Sequence, residues 1–442
     1  MTGTVYKNAR LLDPENSMDA TGALLVKDGY IVDSGPHVFV DAVQDDWEVV
    51  DCGGKCLAPG LIDMRVTTGE PGNEHLETLA TVSQAAAAGG VTNMVCLPNT
   101  YPVVDDVALL EFVERRAAEV GLISVHSYAA ATKGTRGEEM SEVGLLHEAG
   151  ALGFTDGSKA ISNAMVMRRL LSYATVFDAL IIQHPEVREL VGSGVMSEGE
   201  TATRLGLTGI PAAAEVMMIE RDIRLVEITH GRYHASRVTT AQSVEAIAEA
   251  KAAGLPVTCD TAPHYFALNE GAVNDYRTFA KVSPPLRTEE DRRAVLAGIA
   301  DGTIDAIASD HTPRDQDSKR LPFDQAAHGV VGLETMLTIT LEAVHNGGLT
   351  MLDAIAALTQ RPARILGLNA GTLAKGAAAD LLIFDPDIAS QIDAAKFQSK
   401  CKNSPFDGKP IQGRVLKTIR RGKTVFNHNA EEGPHPGRSA HA

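Results

Sequence analysis

Carboxylates and histidines, the side chains that hold divalent metals and move protons, recur in this sequence at the ends of short apolar runs. Asp156 closes Ala-Leu-Gly-Phe-Thr-Asp, His184 follows Leu-Ile-Ile-Gln, and Asp310 and His311 follow Ile-Asp-Ala-Ile-Ala-Ser. Asn99 sits in Cys-Leu-Pro-Asn-Thr, His234 in Tyr-His-Ala-Ser-Arg and His264 in Thr-Ala-Pro-His-Tyr. Arginines occupy similar places: Arg65 ends Leu-Ile-Asp-Met-Arg, Arg237 follows His234 by three residues, and Arg314 follows His311 by three. Gathered in one cleft, such a set could ligate a metal or run acid–base chemistry. Taken singly, each is an ordinary hydrogen-bonded polar residue. Other chemistries lack their patterns. Cys52 and Cys56 have no second Cys/His pair to complete a zinc knuckle. Lys133-Gly134 lacks the glycine spacing of a nucleotide loop, and Gly89-Gly90 reads as a helix C-terminus.

The elements that must position these residues follow from periodicity. Short apolar strands at 57–65, 92–97, 122–130, 151–156, 179–184, 232–238, 256–261 and 304–310 alternate with Ala-rich helical stretches. Repeated βα units specify a parallel sheet, and eight of them specify an α/β fold of the (β/α)8 TIM-barrel type. In that fold chemistry sits at the C-terminal ends of the strands, which is where the residues above lie. The first 58 residues and residues 366–428 read differently, as short strands with turns, including a Lys-Asp-Gly hairpin turn at 27–29. The expected organisation is a small β-sandwich built from both termini (1–58 and 366–428) around a barrel at 59–365. A polar Gly/Pro-containing tail at 429–442 is expected to be disordered.

The chain has 442 residues, 44% hydrophobic and 22% charged, with a formal net charge of -17. That acidity argues against a nucleic-acid binder or a polybasic membrane-surface protein. No apolar run approaches the ~20 residues that span a bilayer, and Met1 leads into no secretory signal pattern. Cys96 and Cys259 lie in apolar runs, where thiols are small hydrophobes. Reduced structural thiols fit a cytoplasmic location.

The chain carries Pro-Gly-Leu-Ile-Asp at 59–63, Glu-Pro-Gly at 70–72, Pro-Asn-Thr at 98–100, Ser-Asp-His at 309–311 and Gly-Leu-Glu-Thr at 332–335. Taken in order, these framing segments resemble the dihydroorotase family of the amidohydrolase superfamily across almost the whole chain. No single segment is specific; their order and spacing are. The resemblance implies an amide hydrolase whose zinc lowers the pKa of a bound water and polarises a carbonyl. It also implies a ligand set: His-x-His on the first strand, a carboxylate or carboxylated lysine on the fourth, a histidine on the fifth and sixth, and an aspartate on the eighth.

Carried onto this chain, that set is broken. The histidine pair falls on Arg65 and Thr67, and the sixth-strand histidine on Arg237, while His234 lies where the family residue is not a ligand. Asp156, His184 and Asp310 remain as vestigial ligands, with Asp310 in the place of the family's proton-shuttling base. A guanidinium about 5 Å from a divalent ion costs roughly 6–7 kcal/mol at an effective dielectric near 20. Arg65 and Arg237 are therefore expected to pair with Asp310 and Asp156, and no zinc or other cofactor is expected. On the substrate side Asn99 survives, the family's carboxylate-binding arginine is Gly69, and a histidine beyond Asp310 is Arg314, which could still grip an anion.

The resemblance then favours a non-catalytic relative in pyrimidine biosynthesis, a homo- or hetero-oligomer whose partner is aspartate transcarbamoylase. One alternative is an active cyclic-amide hydrolase, interconverting carbamoyl aspartate and dihydroorotate, with a remodelled or mono-metal site to which His264 or His311 could be recruited. The other is a non-enzymatic scaffold or anion-binding barrel like the non-enzymatic homologues of dihydropyrimidinase; Asp156, where hydantoinase-type relatives carry lysine, argues against that.

Overall fold

The computed structural model describes residues 3–38 and 47–428; the tail expected at 429–442 lies outside them. The middle of the chain is a closed barrel of parallel strands. Leu61–Val66, Val91–Cys96 and Ser124–Ser127 pair in that order. Bridges from Ala129 to Phe154 and from Phe154 to Ile181 carry the sheet onward. Ile181–Gln183, Tyr233–Ala235, Val257–Thr261 and Ala306–Ile307 complete it, and a parallel bridge between Val66 and His311 closes the ring. Helices cover its outside. Leu79–Ala88, for example, is started by a Thr78/Thr81 capping box and ended at Gly89, with Gly90 beyond it at φ 87°.

Several strand boundaries differ from the sequence reading, and three of the differences bear on the site. The run expected at 57–65 breaks at Gly60: Cys56–Pro59 joins the terminal sheet and Leu61–Val66 the barrel. Glycine is required there, because a Cβ would meet the Thr92 side chain at 2.2 Å. The fourth strand shrinks to one bridging residue, Phe154. The eighth stops at Ile307; beyond it the Ser309 N–H donates to the Asp63 carboxylate (3.1 Å) and not to a strand carbonyl.

Both ends of the chain build one β-sandwich sheet in the order Lys423–Asn427, Pro410–Arg420, Leu381–Gln391, Cys56–Pro59, Thr4–Asp13, Met18–Lys27, Tyr30–Gly35, with Glu48–Asp51 also paired to Thr4–Asp13. Asp28 and Gly29 turn the hairpin at φ 54° and 84°, the left-handed pair that a tight β-turn needs. Leu11, Leu24, Leu57, Leu381 and Ile419 fill its core. All five cysteines are buried and unpaired, and burial pushes the Cys52 and Cys56 thiols up to about 11. Among the described residues no helix is long and apolar enough to cross a membrane.

Between Leu381–Gln391 and Pro410–Arg420 the chain leaves the sheet and crosses to the barrel mouth. Ser399 Oγ donates to Glu77 Oε2 at 2.5 Å. Asn403 Nδ2 donates to the Thr312 and Gly329 carbonyls (3.1 and 3.0 Å), and its Oδ1 accepts from the Arg314 N–H (3.0 Å). One buried amide thus fastens both ends of the 311–331 loop. Asn403→Ala should lower stability by about 2–3 kcal/mol, near 1 kcal/mol for each lost hydrogen bond, and expose the loop to limited proteolysis. Thermal melting and cleavage mapping check this; unchanged melting and protection would refute it.

Candidate functional site

Arg65 at the end of the first strand, Arg237 after the sixth and Asp310 after the eighth converge in the barrel centre. They are 2%, 4% and 3% exposed. Arg65 Nε donates to Asp310 Oδ1 at 2.8 Å, and its Nη2 reaches the Gly157 carbonyl at 3.3 Å. Arg237 Nη1 approaches the same Oδ1 at 3.4 Å and donates a short hydrogen bond to the Ser283 carbonyl. Burial alone would raise the Asp310 pKa; the charges of Arg237 and Arg65 outweigh it and hold the carboxyl below its ordinary value. Arg237 and Asp310 both sit in left-handed backbone, at φ 64° and 50°. For side chains of this kind that costs about 1–3 kcal/mol each. The strain at Arg237 is held by its N–H, which donates to Asp260 Oδ1 at 2.6 Å.

The same arginine sets the state of His184. A guanidinium can only donate, so the 2.8 Å contact from Arg237 Nη2 makes His184 Nδ1 an acceptor. His184 Nε2–H then donates to Glu186 Oε2 at 2.7 Å. Both ring nitrogens are engaged in a neutral imidazole. Burial and the charge of Arg237 lower its pKa, in agreement. His264 Nε2 faces Asp310 Oδ2 at 3.7 Å without a hydrogen bond, and burial holds that histidine uncharged, with its pKa down at about 4.

Asp156 does not pair with either arginine, as had been expected. Its carboxylate accepts from the Thr132 N–H (2.9 Å) and Thr132 Oγ1 (2.5 Å), partners contributed by the segment after the third strand. Burial raises its pKa. A guanidinium is not needed where a backbone N–H and a hydroxyl already satisfy the carboxylate. His234 is bracketed between Thr258 Oγ1 (2.8 Å) and Asp260 Oδ2 (3.1 Å) and does not face the centre's carboxylate. His311 Nε2 lies 3.7 Å from Glu77 Oε2, on the side of the 399–403 segment.

Arg314 Nε donates to the His328 carbonyl at 2.8 Å, so this arginine braces the loop. Gly69 has φ 76°, and a Cβ there would meet the Asn73 and Glu77 carbonyls at 2.7 and 2.8 Å. An arginine cannot replace it without rebuilding the loop. Thr67 Oγ1 and Asn99 Oδ1 are buried without a hydrogen-bond partner among the described residues. Glu186, Asp260, Ser283 and Thr132 were not singled out from sequence. Glu186 carried a signal in His184-Pro-Glu186; the others become visible only in three dimensions.

Zinc does not fit this donor set. His184 has no free lone pair, Asp310 is enclosed by two guanidinium groups, and Asp156 is turned to Thr132. Among the described residues, no group of three or more His, Cys, Asp or Glu is placed to hold a metal ion.

Comparison with known proteins gives a consistent family. The Dihydro-orotase-like family pattern matches residues 54–243, and an Amidohydrolase family pattern matches residues 327–426. The chain is similar to the dihydroorotase of Anaplasma phagocytophilum (strain HZ), 45% identical over 95% of this chain and 94% of that one. It is 43% identical to the dihydroorotase of Geobacter sp. (strain M21), over 96% of this chain and 99% of the relative. Among solved structures, the L-hydantoinase (dihydropyrimidinase) from Arthrobacter aurescens superimposes with a TM-score of 0.86 at 25% identity, covering 97% and 96% of the two chains. The dihydropyrimidinase from Brevibacillus agri NCHU1002 shares the fold, with a TM-score of 0.81 at 22% identity over 96% and 95%.

The central ion cluster has a pH consequence. Removing one partner of a buried charge cluster strands the others, at about 3–5 kcal/mol, so Asp310→Asn should lose about that much stability at neutral pH. The folded pKa of Asp310 is depressed below the unfolded value of about 3.9. Its contribution is therefore complete above that value and disappears as pH falls through the folded pKa. Urea unfolding should show a gap between wild type and variant that is full at neutral pH and closes in acid. A gap constant across that range would mean that the Asp310 charge is not what stabilises the centre.

Proposed function

The chain belongs to the dihydroorotase family of the amidohydrolase superfamily, and we propose that it is a non-catalytic member, acting in pyrimidine biosynthesis as a structural partner of aspartate transcarbamoylase. The observation that carries this reading is the Arg65–Asp310–Arg237 cluster, which puts fixed positive charge where the family reaction needs metal ligands. The neutral, doubly bonded His184 and the blocked position 69 point the same way. Without an activated water, and without the arginine that would grip the substrate carboxylate, the barrel has neither half of the chemistry.

A retained role then belongs to the surface. The mouth segments 70–72, 98–100 and 311–331 keep the family's framing residues, and beside them Tyr101 is 77% exposed. Amphipathic tyrosines are favoured at protein interfaces, and loops on a rigid barrel are free to become docking faces. A stable complex would bury about 1,200 Å² or more in total. The second reading is an active hydrolase with a remodelled centre; its support is the 43–45% identity to proteins named dihydroorotase over nearly their whole length.

Two measurements separate the readings. Purified protein should hold far less than one zinc per chain and show no turnover of dihydroorotate or carbamoyl aspartate with added zinc. Arg65→His, Thr67→His and Arg237→His together should raise zinc binding without restoring full activity, because Gly69 remains. Turnover by the wild type would establish the hydrolase reading instead. Co-expressed with aspartate transcarbamoylase, the chain should elute with it in size-exclusion chromatography. Separate elution at micromolar concentrations, beside a transferase fully active alone, would remove the partner.

A further inference from the structure

Asn403 fastens the two ends of the 311–331 loop, and two buried lysines fasten its middle. Lys281 and Lys319 are 2% and 1% exposed. Lys281 follows the turn Thr278–Ala280, in the chain beyond the seventh barrel strand. Lys319 lies in the short helix Gln316–Arg320 of the loop itself. The clasp between them is reciprocal. Lys281 Nζ donates to the Phe323 and Asp324 carbonyls (2.6 and 3.0 Å), and Lys319 Nζ donates back to the Thr278 and Lys281 carbonyls (3.0 and 3.3 Å). Thr278 Oγ1 donates to the Lys319 carbonyl at 2.5 Å, and the Gly329 N–H to the Lys281 carbonyl at 3.0 Å.

What the clasp lacks is negative charge. Neither lysine forms an ion pair with a carboxylate among the described residues. Lys281 has some compensation, from the charge of Asp324 and from the Phe323 ring, whose centroid lies 5.4 Å from Nζ. The charges that act on Lys319 are those of Arg314 and Lys281, both positive. His328 stands among the same cations; burial and the charges of Lys281 and Lys319 hold it neutral, with its pKa down at about 4. Other acids act at one remove, Asp315 on Arg314 and Glu186 on His328.

An ammonium buried without a counter-charge is driven to give up its proton. Burial, followed by the charges of Arg314 and Lys281, brings Lys319 down to about 7. The geometry permits the loss, because a neutral amine keeps two N–H groups and Lys319 has two carbonyls to serve. The closed loop therefore retains its hydrogen bonds in either state, and only the charge is penalised. With the loop lifted, the amine reaches water and behaves as an ordinary lysine.

We propose that the 311–331 loop is a proton-operated flap over the barrel mouth: closing it converts the Lys319 ammonium to the amine and releases one proton to water, and acidification opens it. The device is independent of whether the barrel hydrolyses anything or binds a transferase. From about 7 up to the ordinary lysine value of about 10.4, the closed form holds one proton fewer than the open form. Rising pH favours closure across that window, and below it both forms are protonated and the dependence on Lys319 ends. His328 repeats the effect between about 4 and the ordinary histidine value of about 6.5.

The test is digestion of the full-length protein by subtilisin between pH 7 and 10. Cleavage within 311–331, mapped by mass spectrometry and divided at each pH by the rate for a free peptide of that sequence, reads the open fraction. It should fall as pH rises, approaching roughly ten-fold per pH unit above pH 8. Lys319→Gln keeps two N–H groups without a charge, and Lys319→Met keeps the length; both should abolish this slope. The wild-type profile decides alone if neither variant folds. The proposal is overturned if the loop is not cut at any pH, if its normalised cleavage in the wild type does not change with pH, or if either variant keeps the wild-type slope. The same slope at sites elsewhere in the barrel would mean global unfolding and would overturn it too.

Discussion

Two buried guanidinium groups share one carboxylate, and the arrangement of the barrel centre follows from that sharing. Arg65 and Arg237 cannot lose their protons, and both are nearly inaccessible to water, so each must be neutralised and hydrogen-bonded where it stands. Asp310 supplies the common counter-charge. Other donors go to the Gly157 and Ser283 carbonyls, Ser236 and His184, while Arg237 Nε is buried without a partner among the described residues. These partners come from the ends of several different strands, so the cluster ties the barrel mouth together across its diameter. Buried ion pairs add little net stability over apolar packing, while removing one member is costly. The cluster is thus better understood as fixing one arrangement than as strengthening the fold.

From Arg237 the constraint passes outward. Its donation to His184 leaves that ring one proton to give, the ring gives it to Glu186 Oε2, and the other Glu186 oxygen is left buried without a hydrogen-bond partner among the described residues. On the opposite side, Asp63 Oδ1 accepts the Arg65 and Ser309 N–H groups at 3.1 Å each, which locks the first strand to the eighth where the ring closes. Burial raises that carboxyl to about 6. Backbone, ring tautomer and carboxylate are all ordered by where two side-chain cations sit.

Much of this was legible in the sequence, for a physical reason. Alternating apolar runs and Ala-rich helices report burial directly, so the barrel and the two-ended sheet could be read from periodicity. Residue type alone marks Arg65 and Arg237 as cations that donate hydrogen bonds and offer no lone pair to a metal. What periodicity cannot report is the direction a side chain takes once several partners compete for it. Asp156 was assigned to an arginine, yet Thr132 offers a backbone N–H and a hydroxyl at once. Arg314, a candidate anion grip, also braces its own loop through the His328 carbonyl, a partner that periodicity does not reveal. Strand lengths failed similarly: the eighth strand ends early because the Asp63 carboxylate captures the Ser309 N–H.

Charge counting gives these substitutions a common logic. Two arginines carry the formal charge of one divalent ion, and the barrel's strand ends still present Asp310, Asp260 and Glu186 around the centre. Carboxylates left facing one another without a cation would repel and would be driven to protonate. Neutral replacements at 65 and 237 would have left that problem unsolved. Guanidinium groups solve it with cations that are covalently attached and cannot dissociate, and their planar forks also supply the directional donors that the surrounding carbonyls require. The mouth is thereby held in shape without depending on any bound ion. That independence is what a barrel needs if its surface, rather than its centre, carries the function.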